Sequence, residues 1–110
     1  MKKIFTLFAL VLIVAASQSM TAAAQGTIKP FVSPNPAHDF IKVNWQQSQC
    51  YNVTMALYNT SGILAKTLVN HQYCDGIYSE TFKVTGLNRG TYMMRITIGT
   101  QTWWYKQMIQ

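Results

Sequence analysis

The chain contains few side chains that could catalyse a reaction near neutral pH, and they are far apart. The candidates for general acid–base catalysis are three carboxylates and two imidazoles: Asp39, Asp75, Glu80, His38 and His71. We expect His38 and its neighbour Asp39 in one solvated loop and His71 in another. Such catalysis requires the acid and the base to reach one substrate, and these groups fall in separate turns or strands. The sequence therefore assigns no catalytic residues, and we predict that the protein is not an enzyme.

The first 24 residues have the pattern of a secretory signal peptide. Lys2 and Lys3 precede the apolar run IFTLFALVLIVAA, and small residues follow at positions 22–24. The apolar run is shorter than the roughly 20 residues that a membrane-spanning helix needs, and no second run follows. We therefore predict cleavage after Ala24, no membrane span, a short N-terminal segment at 25–30 and one domain at 31–110.

Cys50 and Cys74 are the two cysteines of the chain, and their positions favour a disulfide over a metal site. The run YNVTMALYNTSGILAKTLV, residues 51–69, predicts a hairpin with its turn near Ser61. Counting outward from Ser61 places Cys74 close to opposite Cys50. An exported protein meets an oxidising compartment, and a structural metal site needs about four ligands, more than this chain supplies. We predict a disulfide, with two unpaired buried thiols as the alternative, and no metal ion or cofactor.

The basic residues of the mature chain are scattered. Removing the first 24 of the 110 residues leaves 86, enough for one small domain, and lowers the formal net charge from +6 to +4. A nucleic-acid-binding surface requires a cluster of cations, so we predict no nucleic-acid partner. The cations that remain form no run: Lys29, Lys42, Lys66, Lys83, Arg89, Arg95 and Lys106.

Apolar and polar residues alternate through most of the mature chain, which is typical of half-buried strands. In IKVNWQ, for example, Ile41, Val43 and Trp45 alternate with polar residues, and YNVTMALYN and TYMMRITIG show the same period. The turn sequences NTSG, CDG, GLNRG and GTQ separate these runs. Their spacing predicts an all-β fold, a small Ig-like antiparallel β-sandwich of about seven strands. The predicted strands are 28–33, 40–46, 51–59, 63–69, 77–84, 91–98 and 102–109.

The stretch SPNPAHD, residues 33–39, predicts a rigid corner between two strands. Pro34 and Pro36 lack a backbone N–H, and Pro36 also disfavours the helical conformation at Asn35. No continuous ladder of backbone hydrogen bonds can therefore run through this stretch. The side chains of Asn35 and Asp39 are of the type that bonds nearby backbone groups and stiffens such corners.

Trp103, Trp104 and Tyr105 form an aromatic run in the last predicted strand and are a candidate binding surface. Successive residues of a strand point to opposite faces, so one tryptophan is exposed or covers a sheet edge. An exposed ring could stack on a sugar or contact a partner, and the simpler interpretation is a tryptophan that covers its neighbours. If this strand is an edge, its unpaired backbone groups could also bind an added strand. One function consistent with these residues is a small secreted Ig-like module that binds a carbohydrate or a surface protein.

Four segments of the chain resemble, in order, the motifs of one family. They are SPNPAHDFIKVNW, VTMALYNTSGILAKTL, FKVTGLNRGTYMMRI and WWYKQMIQ. These are similar to the Pro-Asn-Pro opening, the hairpin, the L-x-x-G-x-Y segment and the lysine-bearing last strand of the type IX secretion system C-terminal sorting domain. The order of the four motifs across residues 31–110 makes the resemblance specific.

The resemblance implies a compact β-sandwich that acts as an address for export across the bacterial outer membrane and has no catalytic role. It implies two partners, the type IX translocon and a surface sortase that removes the domain and attaches cargo to an anionic lipopolysaccharide. It also implies passage through the periplasm to the cell surface or the medium. The family's motif residues correspond here to Pro34, Asn35, Pro36, Asn59, Gly62, Gly90, Tyr92 and Lys106.

Three features of the chain differ from the family's usual pattern. Asn59 stands where relatives often have Asp, which retains a turn-capping acceptor but not the charge. The tail KQMIQ has one lysine where relatives often have two or three, which weakens any electrostatic contribution to docking. Only residues 25–30 separate the predicted cleavage site from the domain, so we expect no cargo domain.

Overall fold

The computed structural model describes residues 28–110. Within these residues the chain forms β-strands joined by turns and loops, and no helix is assigned. The predicted signal peptide lies outside the described residues, as do residues 25–27 of the segment 25–30. The strands are β1 (Ile28–Ser33), β2 (Phe40–Gln47), β3 (Tyr51–Tyr58), β4 (Leu64–Tyr73), β5 (Gly76–Lys83), β6 (Gly90–Ile98) and β7 (Gln101–Ile109).

The strands form two antiparallel sheets that pack face to face. One sheet has three strands in the order β1-β2-β5, and the other has four in the order β4-β3-β6-β7. Side chains from both sheets meet in one apolar core between them, which is the arrangement of a β-sandwich. The predicted all-β antiparallel sandwich of about seven strands is therefore confirmed.

The core is filled by the side chains that the alternating pattern assigns to the apolar face of each strand. Burying an aliphatic or aromatic side chain of this size contributes about 1.5–3 kcal/mol, so the alternation itself drives the sheets together. The three-stranded sheet contributes Ile41, Val43 and Trp45, and the four-stranded sheet contributes Val53, Met55, Leu57, Tyr92, Met94, Ile96 and Ile98, none more than 7% exposed.

β4 extends to Tyr73, four residues beyond its predicted end at residue 69. Its pairing with β3 skips Leu68, which forms a β-bulge. The bulge changes the inward-facing positions from even to odd numbers, because one extra residue reverses the side-chain alternation. Val69 and Tyr73 are buried, whereas the three residues between them are polar and exposed. The strand continues because it still pairs with β3, although its sequence no longer alternates.

The prediction that His71 lies in a loop is wrong, because His71 is part of β4. Its ring stacks on that of Tyr73, with the two centroids 4.4 Å apart. Residues two apart in a strand share one face, so this stacking follows from the strand conformation. His38, in contrast, is exposed in the loop before β2, beside Asp39, as expected.

We call the end of the sandwich where β3 begins and β4 ends the disulfide end. Tyr51 and Tyr73 form the last registered pair of these two strands. Cys50 and Cys74 follow directly beyond this pair, with their sulfur atoms bonded at 2.01 Å. The bond therefore closes the β3–β4 hairpin at its open end, 24 residues apart in sequence.

An aromatic cluster fills the interior near the disulfide end. The ring of Trp45 meets Tyr73 edge-on at 5.1 Å and stacks on Tyr78 at 5.2 Å between centroids. The indole N–H of Trp45 donates to Oε1 of Gln47 at 2.9 Å, and Nε2 of Gln47 donates to the Tyr73 carbonyl at 3.1 Å. These bonds satisfy polar groups that would otherwise be costly to bury.

The hydroxyl of Tyr73 donates to Oε2 of Glu80 across the edge of the sandwich, at 3.3 Å. Burial is the main cause that raises the pKa of Tyr73 to about 12, and the charge of Glu80 and this hydrogen bond add to it. All three effects favour the neutral phenol over the phenolate.

The disulfide should contribute measurably to stability. A closed loop of this length is worth about 3 kcal/mol by the chain-entropy estimate. We expect the Cys50→Ala/Cys74→Ala variant to lose about that much free energy of unfolding in denaturant titrations. Intact mass after alkylation, with and without prior reduction, tests the bond itself. Two thiols that react before reduction would contradict the predicted disulfide.

The raised pKa of Tyr73 makes stability depend on pH in the alkaline range. Because the folded-state pKa, about 12, exceeds the ordinary value of 10.0, the contribution is complete below pH 10 and is lost as pH rises from 10 to 12. We expect ultraviolet titration to show a tyrosine with a pKa of about 12 that is absent in Tyr73→Phe but present in the control Tyr51→Phe.

The variant Glu80→Gln separates the two causes of this shift. Burial is the largest cause, so the substitution should lower the pKa of Tyr73 but leave it above 10.0. If Tyr73 instead titrates with its ordinary pKa in Glu80→Gln, the carboxylate and not burial causes the shift.

Candidate functional site

The motif residues lie at the end of the sandwich opposite the disulfide. There β3 ends, β6 begins and β7 ends: Tyr58 pairs with Met93, and Gly90 pairs with Ile109. We call this the motif end. The corner at 34–36, the turn after β3 and the loop before β6 all adjoin it, so segments far apart in sequence share one region.

The side chain of Asn35 takes the place of a neighbouring strand along the end of β7. Its Nδ2 donates to the carbonyl of Lys106 at 2.9 Å, and its Oδ1 accepts from the N–H of Met108 at 2.9 Å. A carboxamide carries the same donor and acceptor as a peptide group. Bonding to the residues on either side of Gln107 is the pattern of a parallel strand pair. The peptide bonds Ser33–Pro34 and Asn35–Pro36 are both cis.

The backbone of Ala37 continues this ladder by one step. Its N–H donates to the carbonyl of Met108 at 2.9 Å, and its carbonyl accepts from the N–H of Gln110 at 2.8 Å, forming a parallel bridge with Ile109. Asn35 and Ala37 are two residues apart, as are their partner positions on β7. We call these two rungs the Asn35 clamp, its first rung made by a side chain and its second by the main chain.

Two side chains of β7 attach this strand to the N-terminal part of the domain. Nε2 of Gln107, which is 1% exposed, donates to the carbonyl of Pro34 at 3.0 Å. The hydroxyl of Tyr105 donates to the carbonyl of Pro30, and burial raises the pKa of this tyrosine. The last strand is therefore bonded to β1 and to the corner that follows it, although these belong to the other sheet.

Asn59 holds the turn between β3 and β4. Its Oδ1 accepts from the N–H groups of Ser61 and Ile63, at 2.9 and 3.0 Å. Gly62 has φ of 82°, in the left-handed region that side chains disfavour, and its N–H donates to the carbonyl of Asn59. The motif residues of the hairpin therefore set its turn geometry.

Tyr92 fastens the loop before β6. Its hydroxyl donates to the carbonyl of Asn88, four residues upstream, at 2.6 Å. A tyrosine that bonds back across the start of its strand is a recurrent device in β-sandwiches. Gly90 has φ of 148°, which strains any larger residue, and Leu87 packs against the core. In the L-x-x-G-x-Y segment, Leu87 therefore packs against the core, Gly90 permits the backbone conformation and Tyr92 bonds the loop to the strand.

An open groove of about 560 Å³ lies between these two motifs at the motif end. One wall is formed by Asn59, Thr60 and Ala65 of the hairpin, and the other by the loop at 86–92. No acidic side chain lines the groove, and Arg89 is its one charged lining residue. The motif residues Asn59, Gly90 and Tyr92 therefore line the groove.

The side chain of Lys106 is exposed, although its carbonyl is bonded to Asn35. A substitution at this position changes the charge of the motif end without removing the bond to Asn35. Among the motif residues, Lys106 is the one with a cationic side chain available to a partner.

The aromatic run of β7 does not form one surface. Trp103 and Tyr105 are half-buried against the core, whereas Trp104 is 54% exposed on the outer face of the four-stranded sheet. The three residues predicted as one candidate binding surface are therefore divided between two faces, as strand geometry requires. Trp104 is the most exposed of the three.

Trp104 belongs to a cluster that the sequence analysis did not find. The guanidinium of Arg95 lies 5.2 Å from the ring centroid of Tyr58 and 5.9 Å from that of Trp104. Nε of Arg95 is buried and has no hydrogen-bond partner within residues 28–110. Cation–π contacts of this kind attract the guanidinium to the two rings. Positions 58, 95 and 104 are adjacent only after the strands pair, so no local pattern reveals them.

The acidic and histidine residues do not gather into a site. Glu80 contacts Tyr73 on one edge, while Asp39 and Asp75 occupy different loops. Within residues 28–110, no group of three or more His, Cys, Asp or Glu side chains could hold a metal ion. The same part of the chain has no helix of the length and hydrophobicity needed to cross a membrane.

Comparison with known proteins assigns the chain to a family. A family model described as the secretion system C-terminal sorting domain matches residues 32–110. The chain therefore belongs to the family of type IX secretion C-terminal sorting domains, as the four motifs predict. No match was found among curated proteins or among solved structures. Members of this family are non-catalytic sorting signals that direct export to the outer membrane or cell surface.

The Asn35 clamp can be tested through the exchange of single amide protons. Asn35→Ala removes the side-chain rung, and we expect a loss of about 1–2 kcal/mol for its two hydrogen bonds. Hydrogen exchange measured by NMR should become about tenfold faster at the N–H of Met108, with a smaller change at Gln110.

The matched control for this substitution is Asn52→Ala. Asn52 is also exposed, but its side chain bonds only to other side chains, at 3.3–3.4 Å. It should leave the exchange of the Met108 amide unchanged. Equal exchange at Met108 in wild type and Asn35→Ala would show that the clamp does not hold this strand.

Proposed function

We propose that the folded sandwich is a sorting signal read by the type IX secretion machinery, which carries it from the periplasm across the outer membrane. The observation that carries this proposal is the family match over residues 32–110. The proposal includes inner-membrane export by a signal peptide at 1–24 and a sorting domain bounded by 31–110. The protein acts by being bound and carries out no reaction.

The recognised feature is the assembled motif end. The polar side-chain atoms of Asn35, Asn59 and Tyr92 form hydrogen bonds within the domain. These side chains therefore determine the shape of the motif end. Lys106 points into solvent beside them. A partner that binds the motif end would therefore recognise a surface formed by segments that are far apart in sequence. Lys106 would contact that partner directly through its charge.

A surface sortase is the second partner in this proposal. It would remove the domain and join any cargo to an anionic lipopolysaccharide, as the family resemblance implies. The chemistry of that step would be supplied by the sortase, since both cysteines of this domain are bonded to each other. The final location of the protein would be the cell surface or the medium.

Export of a reporter tests the sorting role. Residues 25–110 fused behind a periplasm-directed fluorescent protein should carry fluorescence to the surface or medium of a bacterium with the type IX machinery. A strain that lacks the translocon should retain the fusion in the periplasm. Retention of a correctly folded fusion in both strains would overturn the proposed function.

Two lysine substitutions test the role of the motif end. Lys106→Gln removes one exposed charge of the motif end and should lower export severalfold. Lys42→Gln removes an equally exposed charge from the outer face of the three-stranded sheet and should leave export unchanged. Equal export of both variants would show that the side chain of Lys106 is not read.

A further inference from the structure

The backbone of β7 is bonded on one side by β6 along its whole length, from Gln101 to Ile109. On the other side, the groups that meet the Asn35 clamp are the carbonyl of Lys106, both groups of Met108 and the N–H of Gln110. The even-numbered residues of β7 therefore turn their peptide groups away from β6. Because this alternation is a property of the strand, Thr102 and Trp104 face the same way.

The clamp closes only half of this edge. Within residues 28–110, no strand or bridge pairs with the outward groups of Thr102 and Trp104 or the N–H of Lys106. These groups are the N–H and C=O of Thr102, the same pair of Trp104 and the N–H of Lys106. We call positions 102–106 the open edge. At about 3.4 Å per residue it has room for a strand of four or five residues.

Proteins normally protect such edges, because unpaired backbone groups recruit other chains. In β7 the protection is present beside Met108 and absent beside Trp104, within one strand. The side chains along the open edge are not charged throughout, since Trp104 is 54% exposed there. An edge that is closed at one end and left unpaired at the other is suited to binding one short strand in a defined position.

The charges around the open edge select the kind of strand. β1, β6 and β7 contain Lys29, Arg95 and Lys106 and no acidic residue. Nζ of Lys29 lies 5.7 Å from the ring centroid of Tyr105, and Arg95 lies beside Trp104. All three acidic residues of the chain are on other segments. A strand with acidic side chains is thus favoured, whereas a second copy of this cationic domain is repelled.

We propose that the open edge binds an extended acidic peptide, which joins the four-stranded sheet as a fifth strand beside β7. Backbone bonds to Thr102 and Trp104 hold the peptide, and carboxylates on its outward face meet Lys106. Binding itself follows from the geometry of β7. That the peptide belongs to the secretion machinery rests on the proposed function.

NMR titration of the labelled chain, residues 25–110, tests the binding. The probe is a ten-residue peptide of alternating glutamate and valine, and the matched control alternates lysine and valine. We expect the probe to slow exchange and shift the amide signals of Thr102, Trp104 and Lys106, while those of Trp103 and Tyr105, already paired with β6, change little. The lysine peptide should bind about tenfold more weakly. No change at these amides, or equal binding of both peptides, would overturn the proposal.

The peptide-free chain tests the other occupants of the open edge. Protection of Thr102 and Trp104 that increases with protein concentration would show that a second copy binds there. Protection present in residues 25–110 but lost in residues 28–110 would show that the chain's own N-terminal segment covers the edge. Either result overturns the proposal, whereas fast exchange at these amides in both chains supports it.

Thr102→Pro removes one outward N–H without removing a bond to β6, because the N–H of this residue faces away from β6. We expect it to retain the fold, judged by its thermal unfolding and by the amide signals of β3, and to lose the probe. Thr102→Ala keeps the N–H and should bind as wild type does. Binding by Thr102→Pro equal to that of wild type would overturn the proposal.

The export assay then separates two hypotheses: that the domain is a sorting signal, and that the secretion machinery binds it at the open edge. If wild type is exported and a folded Thr102→Pro fusion is retained, the open edge is the contact with the machinery. If both are exported, the sorting role stands and its use of the open edge is wrong. If neither is exported, the sorting role fails, and the titration alone decides whether the edge binds peptide.

Discussion

The hydrogen bonds between the carboxamide of Asn35 and β7 hold the two sheets together at one edge. β1 and β7 belong to different sheets, so no backbone ladder of ordinary strands can join them. The clamp supplies that joint, and the bonds from Gln107 and Tyr105 reinforce it. Core packing draws the sheets together without direction, whereas these bonds determine where the end of β7 lies. The shape of the motif end depends on that position.

The strands and the core could be read from the sequence because one physical rule determines both. Side chains alternate along a strand, so a strand with one buried face must alternate in polarity. Ile41, Val43 and Trp45 obey this rule, and they are buried. The same rule failed in β4, where a bulge at Leu68 reverses the alternation and polar residues precede Tyr73. Pairing with β3, which no local pattern reports, extends that strand.

The arrangement of the candidate site could not be predicted from local sequence patterns, because it too depends on contacts between segments far apart in the chain. The sequence indicated that Asn35 would bond to backbone groups, but it suggested nearby ones, and the actual partners lie 71 and 73 residues away. The cluster of Arg95, Tyr58 and Trp104 likewise appears only once β3, β6 and β7 are in register. Family resemblance identified Asn35, Asn59 and Tyr92 as motif positions without saying what these residues do. The structure supplies their roles as a clamp, a turn and a fastening.

The clamp has a consequence for the timing of recognition during synthesis. Asn35 emerges from the ribosome long before Lys106 and Met108, so the surface they share cannot exist on a partly made chain. It also disappears if the last strand is frayed or cut away, even when the rest of the core survives. A receptor that binds this joint would accept molecules in which β7 is folded against Asn35 and pass over those in which it is not.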